Sequence, residues 1–390
     1  MSKTGILTYH NNENKGAILQ ALCLTKALSH LFNEEVEVIE YRTASKERKR
    51  KIKTIITKKP SQIPRRIKDR QCCESFIREE FNISDDSIIT DDHEEATEWL
   101  ESQEYNILVT GSDEVWKINN RQTSWRSKLS PKRPFPNLYH LDPRLSAAKV
   151  AYAASANTVE FKELNKSQRE LFKEHLTAYD HISVRDNHTE RMLEHLGIDN
   201  VSRVPDPTIM WEIPTRDVRS VLEQNGIDTD EKILGFHGPN NDLFEAICHE
   251  YRQRGYQIVA INGSQYADLD LRGAVDPFEY YSLYAHFDMV VTSSLHSTIF
   301  SLKNHTPFVT IDTSTAYKNI ESKTQSLLSD FTLLDRHIDA TDSDAISFFD
   351  NIEDYHQPLD EKHIMERINK LQKQGYKFLN TVKENYETSY

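Results

Sequence analysis

The stretch Met289-Val290-Val291-Thr292-Ser293-Ser294-Leu295-His296-Ser297-Thr298-Ile299-Phe300 contains the pattern on which the fold prediction depends. A run of β-forming residues stops at a short polar turn, and an apolar helix follows the turn. This order predicts a buried strand, Met289 to Thr292, and a helix from about Thr298 to Lys303. A strand that leads directly into a helix is the repeating unit of a parallel α/β sheet.

The same alternation continues on both sides of this stretch. Strands and helices are predicted at Lys232 to Phe236, Leu243 to Arg254, Gln257 to Ile261, Tyr280 to Ala285 and Phe308 to Ile311. Several of the strands end in small or polar residues, as sheet strands do when their carboxyl ends line a crevice. This series predicts one α/β domain over residues 213–345.

An earlier series of the same kind predicts another α/β domain over residues 1–212. Its predicted elements are Gly5 to Tyr9, Ala17 to Leu31, Glu35 to Tyr41, Tyr105 to Thr110, Lys149 to Ala154, Asp180 to Val184, Thr189 to Leu196 and Val201 to Val204. The pattern breaks around Glu212 to Arg216, where Pro214 lies. We therefore expect two Rossmann-like domains that face each other across a cleft, the arrangement called GT-B. The tail, residues 346–390, contains a predicted helix, Glu361 to Glu384, that can pack back on the first domain.

Composition predicts an intracellular protein of two domains. The chain has 390 residues, enough for two domains, and no run reaches the roughly 18 apolar residues of a membrane span. The N-terminal segment, Met1 to Leu7, is too short and too polar for a secretory signal. The four cysteines fit neither a zinc site nor a disulfide framework, so we expect free thiols in the cytoplasm.

The net charge of −13 is unevenly distributed. Residues Arg42 to Arg70 contain 13 Lys and Arg against Glu47 and Asp69, a net of +11, so the rest of the chain carries −24. One interpretation is a solvated helix or loop. The other is a patch that faces an anionic membrane leaflet or a lipid-diphosphate substrate. No nucleic-acid motif accompanies the patch, so a nucleic-acid partner is not expected.

His296 is the first candidate site residue because it lies where a predicted strand meets a helix N-terminus. Free backbone N–H groups at such a point attract phosphate or carboxylate. A histidine there can be a general acid or base, or donate a hydrogen bond to the anion. The neighbours Ser294, Leu295 and Ser297 belong to the same predicted anion site. The alternative is a histidine that only caps the helix.

Arg185 is the second candidate, at the end of the predicted strand Asp180 to Val184. Arginine binds a carboxylate or phosphate through two parallel hydrogen bonds. The alternative is an interdomain or surface salt bridge.

Two further loops contain polar candidates. The opening loop, Tyr9 to Gly16, holds His10, Asn12 and Asn14, which together with Gly16 can present amides and backbone N–H groups to a sugar or phosphate. The alternative is an ordinary turn. In the loop Gly111-Ser112-Asp113, Asp113 can accept a proton or bind a sugar hydroxyl, and Gly111 allows a close backbone approach. The alternative is that Ser112 or Asp113 caps a helix.

These loops occur in a fixed order that resembles the polysaccharide pyruvyl transferase family. The resemblance covers about residues 5 to 335. It depends on six motifs: Gly16-Ala17-Ile18-Leu19-Gln20, Gly111 to Trp116, Tyr152 to Ser155, Ser183 to Asp186, Asp206-Pro207-Thr208, and the turn around His296. The sequence departs from the family pattern at Ser294, where some members have an arginine that binds the donor, at Leu295, and at Lys15, where an aromatic residue is common.

The resemblance implies transfer of an enolpyruvyl unit from phosphoenolpyruvate to a sugar, with a cyclic ketal as product. It implies His296 as acid or phosphate partner, Asp113 or His10 as base, and Arg185 with residues 294–297 on the donor side. Asn12, Asn14, Gly16, Ser112 and Ser155 are placed on the acceptor side, which is the first domain. The acceptor would be a hexose of a polysaccharide or capsule precursor, often carried on a lipid diphosphate at the inner membrane face. No cofactor is expected besides the co-substrate, and no metal motif is present.

Two alternatives remain at this point. One is a glycosyltransferase of the same architecture that uses a nucleotide sugar. The other is a glycan-binding relative without catalysis, which the serine at position 294 makes plausible.

Overall fold

The computed structural model describes residues 3–32, 35–55, 63–118, 134–261, 263–317, 320–340 and 346–387, with the side chains of 51–55 and 346–347 outside that description. These residues form two parallel β-sheets flanked by helices. The fold class is therefore the one predicted, two Rossmann-like α/β units in a GT-B-like arrangement.

The first sheet has seven strands in the order β3-β2-β1-β4-β5-β6-β7, all paired in parallel. Its strands are β1 Lys3–Leu7, β2 Glu35–Arg42, β3 Ile83–Ile89, β4 Ile107–Asp113, β5 Ala148–Ala154, β6 His181–Val184 and β7 Val201–Arg203. Its helices are α1 Lys15–Phe32, α2 Ala44–Ile55, α3 Ile63–Glu80, α4 His93–Glu101, α5 Lys166–Thr177, α6 Asn187–His195 and α7 Pro207–Met210. The connections from β1 to β2 and from β4 to β5 run outward from the centre in opposite directions, so the sheet has a switch point between β1 and β4.

The second sheet has six strands in the order β10-β9-β8-β11-β12-β13, again all parallel. Its strands are β8 Ile233–His237, β9 Gln257–Ala260, β10 Leu269–Asp270, β11 Met289–Thr292, β12 Phe308–Asp312 and β13 His337–Asp339. The helices from the end of β7 onward are α8 Arg219–Gln224, α9 Asp242–Gln253, α10 Pro277–Ser282, α11 Leu295–Lys303, α12 Lys323–Phe331, α13 Ile346–Asp350, α14 Ile352–Tyr355 and α15 Glu361–Glu387. The predicted boundary at residue 212 falls between the two sheets.

Helix α15 packs on the first domain, as the sequence predicted. Its apolar face buries Ile364, Ile368 and Leu379 in the same core as the apolar face of α1. Its side-chain contacts include two to backbone carbonyl oxygens: Gln372 Nε2 donates to that of Ile209 at 3.0 Å, and Lys383 Nζ donates to that of Leu31 at 2.9 Å. The last helix thus ties the end of the chain to the domain where the chain begins.

Three strands escaped the sequence prediction. Strand β3 reads ISDDSII and lies at the edge of the first sheet, where most of its residues are at least partly exposed. An edge strand tolerates Asp85 and Asp86, so the apolar run that identifies a buried strand is missing. Strands β10 and β13 have only two and three residues and are edges of the second sheet.

Two predicted boundaries shift in ways that matter for the site. Strand β1 ends at Leu7 rather than Tyr9, so Thr8 and Tyr9 belong to the loop. Helix α11 begins at Leu295 rather than Thr298, which places His296 inside its first turn.

None of the helices in the described ranges combines the length and apolar character that a membrane crossing requires.

The described part of the basic segment lies mainly in helices α2 and α3, and its charges divide into two groups; residues 56–62 and the side chains of 51–55 lie outside that description. Arg50 turns inward, where its guanidinium contacts Glu13 at 3.2 Å and Glu74 at 3.0 Å. Asp69 is buried against Lys15 and also accepts a hydrogen bond of 3.1 Å from the Gly273 backbone N–H of the second domain. Lys49, Arg65 and Lys68 are exposed. The solvated-helix interpretation therefore fits the exposed residues, which are also the ones that a basic surface facing a membrane would use, whereas Arg50 and Asp69 make internal contacts.

Candidate active site

The candidate site is built from segments that follow the carboxyl ends of strands in both sheets. Strand β4 ends at Asp113, Arg185 follows β6, Asp206 follows β7 and caps α7, and His296 lies in the first turn of α11 after β11. Ligands of open parallel sheets bind outside these strand ends. The topology therefore brings together residues that lie far apart in the sequence.

Arg185 and His296 meet at Asp206. The Nη1 atom of Arg185 lies 2.8 Å from Asp206 Oδ2, and His296 Nε2 lies 3.7 Å from the same oxygen. All three side chains are buried. The predicted convergence of Arg185 and His296 across the two domains is therefore present, and a carboxylate that was not predicted as a site residue joins them.

Burial controls the protonation of this cluster. It lowers the pKa of His296, although the carboxylates of Asp206 and Asp113 act in the opposite direction. Burial alone would raise the pKa of Asp206, but His296 and Arg185 hold it below its ordinary value. The free protein at neutral pH therefore contains a neutral imidazole beside an ionised Asp206 and a charged Arg185.

Two buried nitrogen atoms in the cluster lack hydrogen-bond partners among the described residues, Arg185 Nε and His296 Nε2. The 3.7 Å from His296 Nε2 to Asp206 is too long for a hydrogen bond. A buried polar atom without a partner costs free energy, which a ligand oxygen at that position would recover. Both atoms are suited to bind the oxygens of an anionic substrate.

Asp113 and Glu114, at the end of β4, lie beside Arg185 and Lys323. Arg185 Nη2 lies 3.5 Å from Asp113 Oδ1, and Asp113 adopts a φ of +77°, a left-handed conformation that is uncommon outside glycine. Glu114 binds Lys117 at 2.9 Å and, from the second domain, Lys323 at 2.9 Å. Burial would raise the pKa of Glu114, but Lys323 and Lys117 lower it well below its ordinary value. Lys323 thus brings a second cation to the side of the cleft that holds Arg185.

Helix α1 packs directly against the cluster of Arg185, Asp206 and His296. A Cβ atom on Gly16 would lie only 2.6 Å from the Cβ, Cγ and Nδ1 atoms of His296, so only glycine leaves room for the imidazole. One turn later, Gln20 Oε1 accepts a hydrogen bond of 3.3 Å from Arg185 Nη1. Gly16 was predicted on the acceptor side, and the structure places it directly against His296.

The opening loop satisfies its own amides. Asn12 Nδ2 donates to the Tyr9 carbonyl oxygen at 2.8 Å, and Asn12 Oδ1 accepts from the backbone N–H of Asn14 at 2.6 Å. Asn14 Oδ1 accepts from the Ala17 N–H at 3.3 Å and so caps the start of α1. These contacts are those of an ordinary turn, the alternative that the sequence left open.

His10 lines a cavity of its own, which His296 does not line. Its Nε2 atom is 3.3 Å from Glu40 Oε2, and its Nδ1 atom is 3.3 Å from the Thr8 carbonyl oxygen. The cavity around it is lined by residues that include Tyr9, Asn11, Lys46 and Tyr139. His10 therefore stays a candidate base only for a substrate that extends from the cleft toward helix α2.

The serines near the site differ in whether their side chains already have hydrogen-bond partners. Ser112 Oγ donates to the Ala153 carbonyl oxygen at 2.9 Å and Ser155 Oγ accepts from the Asn157 N–H at 3.0 Å, and both serines are fully buried. Ser297 Oγ lies 2.6 Å from the Tyr284 hydroxyl and 2.8 Å from His237 Nδ1. Ser294 occupies the N-cap position of α11 without a capping side-chain hydrogen bond. Among these four side chains, that of Ser294 is the one the described contacts leave available.

The glycine of the Gly-Ser-Asp motif allows two strands of the backbone to lie close together. Gly111 has a φ of +116°, and a Cβ atom there would lie 2.2 Å from the Tyr152 carbonyl oxygen. The close approach that the sequence predicted is thus between strands β4 and β5.

Sequence reasoning missed Asp206, Lys323, Glu114 and Gln20 as site residues. Asp206, Glu114 and Gln20 lie within motifs that were recognised, and their positions after β7, after β4 and in the first turns of α1 were the available signal. Lys323 has no such signal, because it begins α12 beyond the last recognised motif. Its position depends on the tertiary fold alone.

The cavity lined by Arg185, Asp206, Leu295 and Lys323 is small, about 20 Å³. This volume accommodates about one water molecule. A phosphorylated three-carbon donor is several times larger, so we expect side chains or domains to move apart when it binds.

Two parallel sheets with a buried Arg–Asp–His cluster at the carboxyl ends of their strands define a two-domain protein of the GT-B-like class. Residues 14–315 match the polysaccharide pyruvyl transferase family, and the chain belongs to that family. It is accordingly a transferase of polysaccharide biosynthesis with a polysaccharide or glycan acceptor.

Solved structures share the fold at low sequence identity. A UDP-N-acetylglucosamine 2-epimerase from Rickettsia bellii matches with a TM-score of 0.54 and 10% identity, over 100% of this chain and 97% of that one. A sucrose-phosphate synthase from Thermosynechococcus elongatus matches with a TM-score of 0.53 and 12% identity, over 100% of this chain and 99% of that one. No curated protein matches the sequence.

Proposed function

We propose that this protein transfers a pyruvyl group from phosphoenolpyruvate to two hydroxyls of one sugar in a glycan precursor, forming a cyclic ketal. The observation that carries the proposal is the approach of Arg185 and His296 to one carboxylate, Asp206, in a chain of the pyruvyl transferase family. The two unpaired nitrogen atoms there suit a small, highly charged donor.

The reaction requires four changes. A proton adds to carbon three of the enol, and a sugar hydroxyl attacks carbon two while losing its proton. The bond between carbon two and the phosphate oxygen then breaks, and phosphate leaves with the electron pair. A second hydroxyl closes the ring and gives up its proton, so that one phosphoenolpyruvate and one diol give one ketal and one hydrogen phosphate.

His296 suits the acid step once the donor is bound. In the free protein burial lowers its pKa, so the imidazole is neutral at pH 7. A bound phosphate adds negative charge beside Nε2, which raises the pKa and favours the imidazolium form. The protonated ring can then donate to the phosphate or to carbon three.

Arg185 and Lys323 provide the fixed positive charge for the donor. Each is held by a carboxylate in the free protein, Arg185 by Asp206 and Lys323 by Glu114, so both cations are present at the cavity that widens for the donor. Asp113, 3.5 Å from Arg185, is the candidate base for the attacking hydroxyl. This arrangement offers cations in place of the arginine that some family members have where this chain has Ser294.

The direct test is mass spectrometry of candidate glycan acceptors incubated with phosphoenolpyruvate. We expect an added pyruvyl group and release of one phosphate per ketal, and we expect neither product with His296→Ala. A nucleotide-sugar glycosyltransferase would instead transfer a sugar, and a non-catalytic relative would bind the acceptor without releasing phosphate. Either result with a full acceptor panel would exclude the proposal.

We further propose that the exposed basic face brings the enzyme to an anionic membrane leaflet from the cytoplasmic side. Lys49, Arg65 and Lys68 are exposed, and Arg65 also lies 3.8 Å from Asp270 of the second domain. Arg50 is instead held by internal ion pairs and is unsuitable for the test. Neutralising these three residues should weaken liposome binding about tenfold or more, since each basic residue near the surface contributes about 1 kcal/mol.

The matched control removes the same charge from a different face of the first domain. The control variant neutralises three exposed lysines there, Lys162, Lys166 and Lys173. We expect this control to bind phosphatidylserine liposomes as the parent does. Equal binding by all three proteins would contradict the docking proposal without affecting the assignment of the reaction.

A further inference from the structure

A group of metal-binding side chains lies outside the cleft, in the first domain. His93 opens α4, Asp142 follows the turn at Leu138–His140, and His175 lies in the last turn of α5. One ligand atom from each residue lies within 4.8 Å of those of the other two. His93 and His175 also face each other, with ring centroids 5.3 Å apart.

The backbone fixes the tautomer of His175. Its Nδ1 atom lies 3.0 Å from the carbonyl oxygen of Leu141 and 3.3 Å from that of His140. Carbonyl oxygens only accept, so Nδ1 carries the proton and Nε2 keeps a free lone pair. Histidines that bind metal usually donate their other ring N–H to a backbone carbonyl or a carboxylate in this way.

The two ring nitrogen atoms of His93 are buried, yet they lack the hydrogen bonds that buried nitrogen atoms normally make. Its Nε2 atom lies 3.2 Å from Asp142 Oδ2 but not in hydrogen-bond geometry, and neither ring nitrogen has a partner in the described part of the chain. Such atoms in a folded protein call for an explanation, because each unpaired buried group costs free energy. An ion between the three side chains would satisfy His93.

The charges nearby permit a cation. Asp142 is also held by Arg144, with Nε 2.8 Å from Oδ1 and Nη2 2.9 Å from Oδ2. The same guanidinium pairs with Glu94 at 2.7 Å and is 57% exposed, so it can keep Glu94 and release one oxygen of Asp142. Since Arg144 and Glu94 neutralise each other, the carboxylate of Asp142 supplies a net negative charge for the ion.

We propose that His93, Asp142 and His175 bind a divalent ion of the zinc class, which clamps α4 to α5. Two imidazoles and one carboxylate suit Zn²⁺ or Co²⁺, whereas Mg²⁺ and Ca²⁺ prefer oxygen ligands. Ligand atoms around Zn²⁺ lie about 3.4 Å apart, so the widest pair closes inward when the ion binds. Water completes the coordination of the ion, and it has access to the site past the partly exposed side chain of His93. The three positions are far apart in the sequence, which explains why no metal motif was visible.

The test is zinc uptake by tag-free protein after treatment with a chelator and dialysis against a zinc buffer. We expect one zinc per chain for the parent and no uptake from a magnesium buffer. His175→Gln and Asp142→Asn should bind zinc at least tenfold more weakly. His249→Gln, which alters an exposed histidine on α9, is the matched control and should bind as the parent does.

A Co²⁺ absorption spectrum gives a second readout, since the visible bands of low-symmetry nitrogen and oxygen coordination should disappear in the same variants. His93→Gln alters the one partly exposed ligand, so it keeps the test informative if a buried variant fails to fold by circular dichroism. The proposal is overturned if the parent takes up no zinc, or if all three variants bind it as tightly as the parent. Transfer activity is measured separately, because these residues are not part of the cleft.

Discussion

Arg185 and His296 approach the same oxygen atom, Oδ2 of Asp206, from two different domains. The carboxylate holds the guanidinium at 2.8 Å and leaves the imidazole at 3.7 Å, too far for a hydrogen bond. The arginine is therefore fixed before the substrate arrives, whereas His296 keeps Nε2 available. Asp206 is in this sense a positioning residue.

The first prediction concerns Asp206→Asn. Asparagine keeps the shape and can still cap α7 through the contact with Thr208 N, now 3.0 Å, but it removes the charge between Arg185 and His296. Breaking a buried ion pair costs about 3–5 kcal/mol, so we expect a fall of that order in the free energy of unfolding, together with lost transfer activity. Urea denaturation and a phosphate-release assay measure the two effects.

Asp186→Asn is the matched control for that variant. Asp186 is also a buried N-cap, accepting from Thr189 N at 2.8 Å, but it contacts neither Arg185 nor His296 by hydrogen bond. We expect this control to keep most of its transfer activity. Equal loss of activity in both variants would show that Asp206 acts through general stability and not through the cluster.

The second prediction compares Lys323→Gln with Lys117→Gln. Both lysines bind Glu114 at 2.9 Å, but Lys323 comes from the second domain and lines the cavity beside Arg185. If Lys323 provides charge for the donor, its loss should raise the KM for phosphoenolpyruvate about tenfold or more, as expected for a lost charge-assisted contact of about 1.5–3 kcal/mol. Lys117→Gln should change KM little. Equal changes would mean that both lysines serve only to hold Glu114.

The sequence predicts the elements that build the site better than the contacts within it. Alternating strands and helices indicated both sheets, because buried parallel strands read as continuous apolar runs. The edge strand β3 was missed because its solvent-facing Asp85 and Asp86 interrupt that run. Chain order likewise cannot show that Gly16 lies against His296, since that contact joins the first helix of one domain to a helix of the other.

The candidate residues divide in the same way. Arg185 and His296 were identified from their positions at strand ends, and those positions do converge. Their shared partner Asp206 was visible only as part of a motif, and Lys323 not at all. Asn12 and Asn14, chosen for their side-chain chemistry, turn out to bind their own loop. Position relative to a sheet was thus more informative than residue type.

The third prediction tests the space that Gly16 leaves for His296. A Cβ atom at position 16 would lie 2.6 Å from the imidazole, and His296 is too enclosed to move freely. Gly16→Ala should therefore displace the ring, with a cost of about 1–3 kcal/mol in stability and a larger fall in kcat than in substrate affinity. Gly226→Ala is the control, since alanine is strained at that φ of +88° but its Cβ atom would meet nothing within 4 Å. A kcat unchanged by Gly16→Ala would show that the ring tolerates displacement.

The fourth prediction is that donor binding takes up a proton. Because burial lowers the pKa of His296 in the free protein and a bound phosphate raises it, the imidazole gains a proton on binding at any pH between the two values. Affinity for phosphoenolpyruvate should then fall as pH rises through that interval, since the free protein must take a proton from increasingly basic solvent. Calorimetric titration in buffers of different ionisation enthalpy gives the number of protons directly.

His296→Gln separates this mechanism from proton uptake elsewhere. Glutamine can still donate a hydrogen bond to the phosphate but cannot be protonated, so we expect binding without uptake at His296 and a loss of about 10²–10⁴ in kcat. His249→Gln, at an exposed position on α9, should behave as the parent. Uptake of the same size in His296→Gln would assign the proton to another group and leave His296 as a phosphate partner only.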